Sequence, residues 1–397
     1  MKWIDEADGV FRGGGVKGLG LAGALLGFAA HPEKPVKRWV NVAGASAGAI
    51  IACYLAAGHD AEDIAALMTR TRFDEFQDFP PPGGQVVGGG WNLMRRHGMA
   101  RGEAFRRWFS NELNGQTFAV VKTDGSERYR LKLIACDVTN KSLLVLPDDL
   151  PRYRRPGEPG PIDPDSFEIA DAARMSMSIP YFFEPVVLVR DRVFVEDAGG
   201  TDGLVSGQPA DRIDVDEANE AAGYFGVREA TVRELTAKEL KHQRSVIVDG
   251  GTLSNFPVWL FDVDAPTVKL LRPTFGFTLT GGRGVGSGFN AFLRRTPWAV
   301  RFGFDIFHTA QEAWDARFVS HSTRVRTVAV DAGDIGTTQF NLSAADQQML
   351  LNNGREAAKR FLDRFDLADY ENTYHHRFDS NSNGRQAAAV ATGAGAS

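Results

Sequence analysis

The pentapeptide Gly44-Ala-Ser-Ala-Gly48 stands between an extended stretch, Arg38-Trp-Val-Asn-Val-Ala43, and an apolar run, Ala49-Ile-Ile-Ala-Cys-Tyr-Leu-Ala-Ala57. A G-x-S-x-G element between a strand and a helix is the setting of a nucleophile elbow, a turn too tight for bulky neighbours. Glycine at 44 and 48 and alanine at 45 and 47 meet that demand. Such an elbow aims the Ser46 hydroxyl at solvent above a sheet edge, at a helix N-terminus whose dipole favours developing negative charge. The competing reading is a small-residue turn in which Ser46 only N-caps a buried helix.

The opening of the chain, Gly9-Val-Phe-Arg-Gly-Gly-Gly-Val-Lys-Gly-Leu-Gly20, runs from a short apolar strand through Gly13, Gly14 and Gly15 into a helix-compatible stretch. Backbone amides converging at a helix N-terminus can hold an oxyanion, and glycine lets the chain approach a substrate carbonyl closely. Lys17, expected one turn into that helix, adds positive charge. Gly13, Gly15 and Gly18 also spell G-x-G-x-x-G, with Glu33 at the spacing of a ribose-binding acid. That dinucleotide reading is weakened by Pro32 and Pro35, which make a poor end for a buried strand, and it leaves the serine turn unexplained. A Walker A loop fails because Leu19, not lysine, follows Gly18.

A third element, Ser245-Val-Ile-Val-Asp-Gly-Gly-Thr-Leu-Ser-Asn-Phe-Pro257, is a β-branched strand ending in Asp249 with Gly250 and Gly251 behind it. Acids at the C-terminal ends of strands lie on the rim where α/β active sites collect. Taken alone, Asp249 is equally well read as the start of an Asp-Gly turn.

Together these elements resemble the patatin-like phospholipase family. The resemblance rests on Gly13-Gly-Gly-Val-Lys-Gly18 as the G-G-G-x-[KR]-G element, Gly44 to Gly48 as the nucleophile motif, and Asp249-Gly-Gly251 with Asn255 and Pro257. Ala172-Ala-Arg-Met-Ser-Met-Ser-Ile-Pro-Tyr-Phe-Phe-Glu-Pro185 resembles the family's segment between serine and acid, and 327–343 its C-terminal end. The resemblance implies a three-layer α/β/α hydrolase fold with a central, mostly parallel sheet. It further implies a Ser-Asp dyad without histidine, in which Ser46 attacks an acyl ester, Asp249 takes the proton, and Gly13, Gly14 and Gly15 form the oxyanion hole. Lys17, Gly18, Gly44, Gly48, Gly250 and Gly251 support that site. A lone carboxylate is a weak base unless burial favours its neutral form. The substrate class implied is lipid at a membrane interface. A carboxylesterase of the same fold, a catalytically idle interaction module and a dinucleotide-binding oxidoreductase are the alternatives. An α/β-hydrolase would need a histidine after the acid, and His308, His321, His375 and His376 offer nothing beyond position.

The chain departs from the family between Pro180 and the D-G-G element, where an insertion at about 191–244 intervenes. It contains Glu196-Asp197-Ala-Gly-Gly200, so Asp197 is a rival acid, and a helix-prone segment from Val232 to Lys241. Long surface insertions are thermodynamically tolerated; a lid or the seat of a regulatory partner or small-ligand activator is also compatible.

Composition bounds the rest. A chain of 397 residues, 43% hydrophobic, can bury a large core, and the reading is an acyl hydrolase domain over 1–370 and a disordered tail over 379–397. A net charge of -5 argues against a nucleic-acid partner. Cys53 and Cys136, the only cysteines, are expected as buried free thiols in a reducing compartment. With no apolar leader and no stretch clearly spanning a bilayer, the expected location is cytoplasmic or peripheral to a membrane. No Cys/His/carboxylate set has metal-ligand spacing, and no cofactor is implied. Phe73 to Phe79 with Trp91, and Phe275 to Trp314 with its Gly281 to Gly288 loop, are candidate lipid-docking stretches, although core packing accounts for most aromatics. Arg95, Arg96, Arg101, Arg106 and Arg107 could meet a phosphate head group; the plainer reading is a solvated helix face. Further expectations are Asp60 capping a helix, a helix over Arg101 to Leu113, a strand over Tyr129 to Cys136, a surface loop over Pro147 to Pro164, and a capping box at Ser343-Ala-Ala-Asp346 before an amphipathic helix.

Overall fold

The computed structural model describes residues 5–80, 90–123, 128–190, 193–197, 202–205, 230–233, 244–262, 272–281, 302, 324–337 and 339–373. In chain order the elements begin β1 (Glu6–Phe11), α1 (Gly18–Ala29), β2 (Arg38–Ala45), α2 (Ala47–Ala56), α3 (Ala61–Arg70), α4 (Gly90–Arg96), β3 (Gly98–Ala100) and α5 (Glu103–Glu112). There follow β4 (Leu131–Asp137), β5 (Ser142–Leu146), β6 (Tyr153–Arg154), α6 (Ile169–Ser176), β7 (Tyr181–Phe183) and β8 (Val186–Arg190). The remainder are β9 (Val193–Asp197), β10 (Asp202–Val205), β11 (Ala230–Arg233), β12 (Arg244–Asp249), β13 (Thr274–Thr280), β14 (Thr327–Asp331) and α7 (Ala344–Arg364). They group into two compact units, one of Met1–Asp78, Val121–Ile134 and Gly250–Ser397, the other of Phe79–Val120 and Ala135–Asp249.

In the first unit the strands run parallel in the order β14-β13-β1-β2-β4. Alternating side chains give each strand two faces. Phe11, Trp39, Phe275 and Phe277 form an aromatic layer under Phe28 of α1, with Phe11 stacked on Phe277 at 4.9 Å. Val10 and Ala43 face the other way, onto Phe256 and Val258. Helix α7 lies along α1 and closes the aromatic layer through Phe361 and Phe365. The two helices nearly touch: a Cβ on Gly354 would stand 2.1 Å from the Gly20 carbonyl oxygen, and one on Gly23 2.3 Å from that of Leu351. Both expected caps are present. Asp60 accepts the Asp63 amide at 2.8 Å, and Ser343 and Asp346 cap one another reciprocally.

In the second unit β12 pairs antiparallel with the end of β4, Asp249 opposite Ala135, and with β8, which pairs antiparallel with β6. Strands β10, β9 and β11 form a small antiparallel sheet, and β3 pairs parallel with β7.

Several expectations are corrected. The stretch 147–164 is not simply a surface loop. It contains β6, whose Tyr153 is buried and donates its hydroxyl to Asp137 Oδ2 at 2.9 Å. Asp137, also buried, accepts the Thr139 and Asn140 amides as well; prolines punctuate the strand without excluding it. The helix expected from 101 starts at Glu103, because Gly102 is left-handed at φ 76°. Val232 and Arg233 end strand β11 rather than starting a helix; 234–241 lie outside the described residues. Lys17 closes a short 3-10 turn, Gly15–Lys17, and is the N-cap of α1 rather than one turn into it.

Phe73, Phe76, Phe275 and Phe277 are buried, so these aromatics are core. Arg95, Arg96, Arg101 and Arg107 are exposed, while Arg106 pairs with Asp171 and Arg96 with Glu184, as on a solvated helix face. The side chain of Trp91, the loop 282–288 and the tail 379–397 fall outside the described residues. Cys53 and Cys136 are free and buried. No described helix is long and apolar enough to cross a membrane.

Candidate active site

Strand β2 delivers Ser46 to the turn before α2, and there the backbone leaves the ordinary regions: Ser46 has φ 51° and ψ -127°. A side chain in such a conformation costs on the order of 1–3 kcal/mol and persists only where its surroundings impose it. The surroundings do so by contact. A Cβ on Gly44 would lie 2.3 Å from the Gly48 carbonyl oxygen, and one on Gly48 2.2 Å from that of Phe11. Ser46 occupies the N-cap position, but its side chain accepts no capping hydrogen bond. The plain N-cap reading therefore leaves the strain unaccounted for. Contrary to the expected outward aim, Ser46 is only 5% exposed.

The glycine loop lies against this turn. A Cβ placed on Gly13 would stand 2.9 Å from Ser46 Cβ and 2.1 Å from Asn255 Oδ1, so the loop passes the serine at a distance only glycine permits. The Gly13 amide is spent internally: it donates to the Asn255 carbonyl at 3.1 Å, and Asn255 Nδ2 donates back to the Gly13 carbonyl at 3.4 Å. The Val16 amide donates to Thr337 O and the Lys17 amide to Gly14 O. Among the described residues no such bond engages the amides of Gly14 and Gly15. Gly18 sits beside Ala47, its would-be Cβ 3.4 Å from that methyl group. Lys17 is buried.

Asp249 ends β12 in the second unit, 1% exposed, its amide donating to the Ser178 carbonyl at 2.9 Å. Ser178 is itself fixed. Its hydroxyl donates to the Arg174 carbonyl at 2.9 Å and accepts from the Arg174 guanidinium. Arg174, buried, also donates to the carbonyls of Arg101 and Glu184 at 2.6 Å and of Gly102 at 3.1 Å. Burial pushes the nearby Cys136 thiol up to about 12, with the Asp137 and Asp249 carboxylates adding to the effect. Gly250 opens a 3-10 turn in the first unit, where its Cβ would meet Ile134 O at 2.2 Å, and Gly251 is buried with it. Asp197 lies at the end of β9, paired with Ala230 of β11.

Sequence reading thus located the strained serine, the loop beside it and the strand-end acid. It missed that Gly13 spends its amide on Asn255, and that Arg174 braces the Asp249 segment; a single arginine among apolar residues gave no signal of that kind. His308, His321, His375 and His376 lie outside the described residues. His31 is held by the Glu33 and Lys34 amides and Asp363, and His59 by Asp63.

A parallel sheet that feeds a strained G-x-S-x-G turn abutted by a glycine loop defines a patatin-type α/β protein. The model of the patatin-like phospholipase family matches residues 9–262. The chain belongs to that family, with its three-layer α/β/α fold around a mostly parallel sheet, and membership places it among hydrolases that act on lipids. It is 31% identical to the YqhO protein of Bacillus subtilis (strain 168) over 364 residues, 89% of this chain and 97% of that one. Among solved structures it is similar to VipD from Legionella pneumophila, with TM-score 0.41, 15% identity, and coverage of 91% of this chain and 67% of that one. It is also similar to the type III effector ExoU, with TM-score 0.40, 13% identity, and coverage of 92% and 54%.

Proposed function

We propose that the protein is a phospholipase A-type acyl hydrolase that cleaves fatty-acyl esters through a covalent acyl-Ser46 intermediate. Ser46 Oγ attacks the ester carbonyl carbon while the Asp249 carboxylate takes its proton. The carbonyl oxygen gains the negative charge, and the Gly14 and Gly15 amides, at the N-terminal end of α1, donate to it. Collapse of this intermediate expels the alcohol, which recovers the proton from Asp249. Water then attacks the acyl-serine with the same carboxylate as base, releasing the fatty acid and restoring Ser46. Lys17, Gly18, Gly44, Gly48, Gly250 and Gly251 shape the turns that carry these groups.

The observation that carries this reading is the strained backbone of Ser46 beside Gly13, a conformation that costs stability and that a mere helix cap does not need. Asp249 is preferred to Asp197 because it ends a buried strand, is followed by Gly250 and Gly251, and leads to Asn255, which holds the glycine loop. A lipid at a membrane interface is the substrate that family membership favours. The test is labelling with a fluorophosphonate probe and mapping of the adduct. Modification of Ser46 that is lost in Asp249→Asn and kept in Asp197→Asn is the expected result; an adduct at another serine overturns it.

A further inference from the structure

Arg174 of α6 carries a charge that the acyl-transfer scheme does not use, yet it is only 4% exposed. Taking a guanidinium out of water is costly unless its N–H groups find acceptors. Here they do. Nε donates to the Gly102 carbonyl at 3.1 Å, one terminal nitrogen to Ser178 Oγ, and the other to the Arg101 and Glu184 carbonyls at 2.6 Å each. The head group is hemmed in as well: its central carbon lies 5.5 Å from the centre of the Phe183 ring, and a Cβ on Gly102 would stand 2.3 Å from Nε. The segments that grip it are themselves joined, β3 to β7, with the Glu184 amide donating to the Ala100 carbonyl at 2.8 Å. A methionine of similar reach would fill this space without the desolvation cost. What only the guanidinium supplies is a rigid fork that holds several acceptors at set angles.

From that fork a chain of bonds leads to the proposed base. Ser178, fully buried, takes the guanidinium on its hydroxyl and donates the same hydroxyl to the Arg174 carbonyl at 2.9 Å, while its own carbonyl accepts the Asp249 amide at 2.9 Å. The place of that last bond matters. The ladder of β12 with β8 ends at Ile247 opposite Val186, two residues short of the acid, whereas the ladder with β4 continues to Asp249 opposite Ala135. Ser178 takes over where β8 leaves off. We infer that Arg174 is a positioning residue for the Asp249 carboxylate, acting through Ser178, and that it governs kcat rather than substrate binding; the inference rests on the acyl-transfer reading above. A reacting group misplaced by about 1 Å costs on the order of 10²-fold in rate, so a brace two bonds removed from the chemistry is felt there.

The test compares Arg174→Met, Arg174→Lys and Ser178→Ala in the full chain, with p-nitrophenyl butyrate as substrate. Arg174→Met should lower kcat about 100-fold with KM within about twofold, and Arg174→Lys, which keeps the charge and loses the fork, should fall between it and the parent. Ser178→Ala breaks only the hydroxyl link and should cost about tenfold; it serves where Arg174→Met does not fold. The deciding readout is the Asp249→Asn background. A residue that acts through the carboxylate has nothing left to position there, so adding Arg174→Met should lower kcat by less than about threefold more. A further fall of about 100-fold in that background, or a rise in KM with kcat unchanged, overturns the inference and leaves the Ser46 chemistry standing. A second readout does not need turnover: in Arg174→Lys and Ser178→Ala, amide hydrogen exchange of the peptide spanning Asp249 should lose about tenfold in protection, with β1 unchanged. That loss supports the brace even if the parent hydrolyses no ester, in which case only the hydrolase reading fails. Unchanged protection rejects the brace even if Ser46 proves to be the nucleophile.

Discussion

The Gly13 amide donates to the Asn255 carbonyl while the Asn255 side-chain amide donates to the Gly13 carbonyl, at 3.1 and 3.4 Å. Two residues 242 positions apart thus close a reciprocal pair that engages both polar groups of Gly13. The pair fixes the loop, and in the proposed mechanism the next two amides donate to the reacting oxygen. Replacing Asn255 by alanine removes one arm of this clamp. Loss of one fixed oxyanion donor costs on the order of 10²–10³ in rate, and a loosened loop should cost somewhat less. The expected outcome is a fall in kcat of about 10–100-fold with KM unchanged, measured on a short ester; a proportional rise in KM would mean that Asn255 acts on substrate binding instead.

Backbone strain at Ser46 separates activity from stability. Ser46→Ala keeps a side chain at φ 51° and so keeps the strain, whereas Ser46→Gly relieves it. Both should lose ester hydrolysis and probe labelling. Ser46→Gly should nonetheless be more stable than Ser46→Ala by about 1 kcal/mol, the strain relieved less the extra chain entropy of glycine. Denaturant unfolding of the two variants measures the difference, and equal midpoints would show that the turn carries no net strain.

For the acid, Asp249→Asn should lower kcat by about 10²–10⁴-fold, the usual worth of a positioned general base. Asp197→Asn should leave it within a few-fold. Steady-state kinetics on one short-chain ester decides between the two carboxylates.

The α1–α7 contact is vulnerable to a single methyl group. In Gly354→Ala the new Cβ points at the Gly20 carbonyl oxygen, 2.1 Å away, so the helices must part. Overpacking of this kind costs roughly 1–3 kcal/mol, and thermal unfolding should shift down accordingly. A neutral result would mean that α7 slides without penalty.

The thiol of Cys136 gives a pH dependence. Folded, it is held up at about 12, while an unfolded thiol titrates near 8.5. Between those values the folded state binds the extra proton, so stability is fully present below about pH 8.5 and declines as pH rises toward 12, by up to about 1.4 kcal/mol per pH unit. The expected outcome is a steeper alkaline loss of stability in the parent than in Cys136→Ala.

Much of this was legible from the amino acids because short-range chemistry wrote it. The elbow at Ser46 needs small neighbours, Asp60 and Ser343 announce helix starts, and β-branched residues lead to Asp249. Long-range demands left fainter marks. Tyr153 sits among prolines that argue for a loop, yet a buried hydroxyl bond to Asp137 makes it part of a strand. Gly354 lowers helix propensity, and only the closeness of α1 explains why it is there. Ser46 was expected to face solvent, but the glycine loop crosses close beside it.

The family match ends at residue 262, and the first unit does not. β13, β14 and α7 all come later, and they supply the parallel neighbour of β1 and the cover for Phe28. A fragment cut at that boundary would keep the glycine loop, the Ser46 turn and the D-G-G element and yet bare one flank of β1 and a greasy aromatic shelf, the makings of a sticky edge. Anyone expressing the protein in pieces should expect insoluble material from such a fragment and carry the chain through at least Phe365.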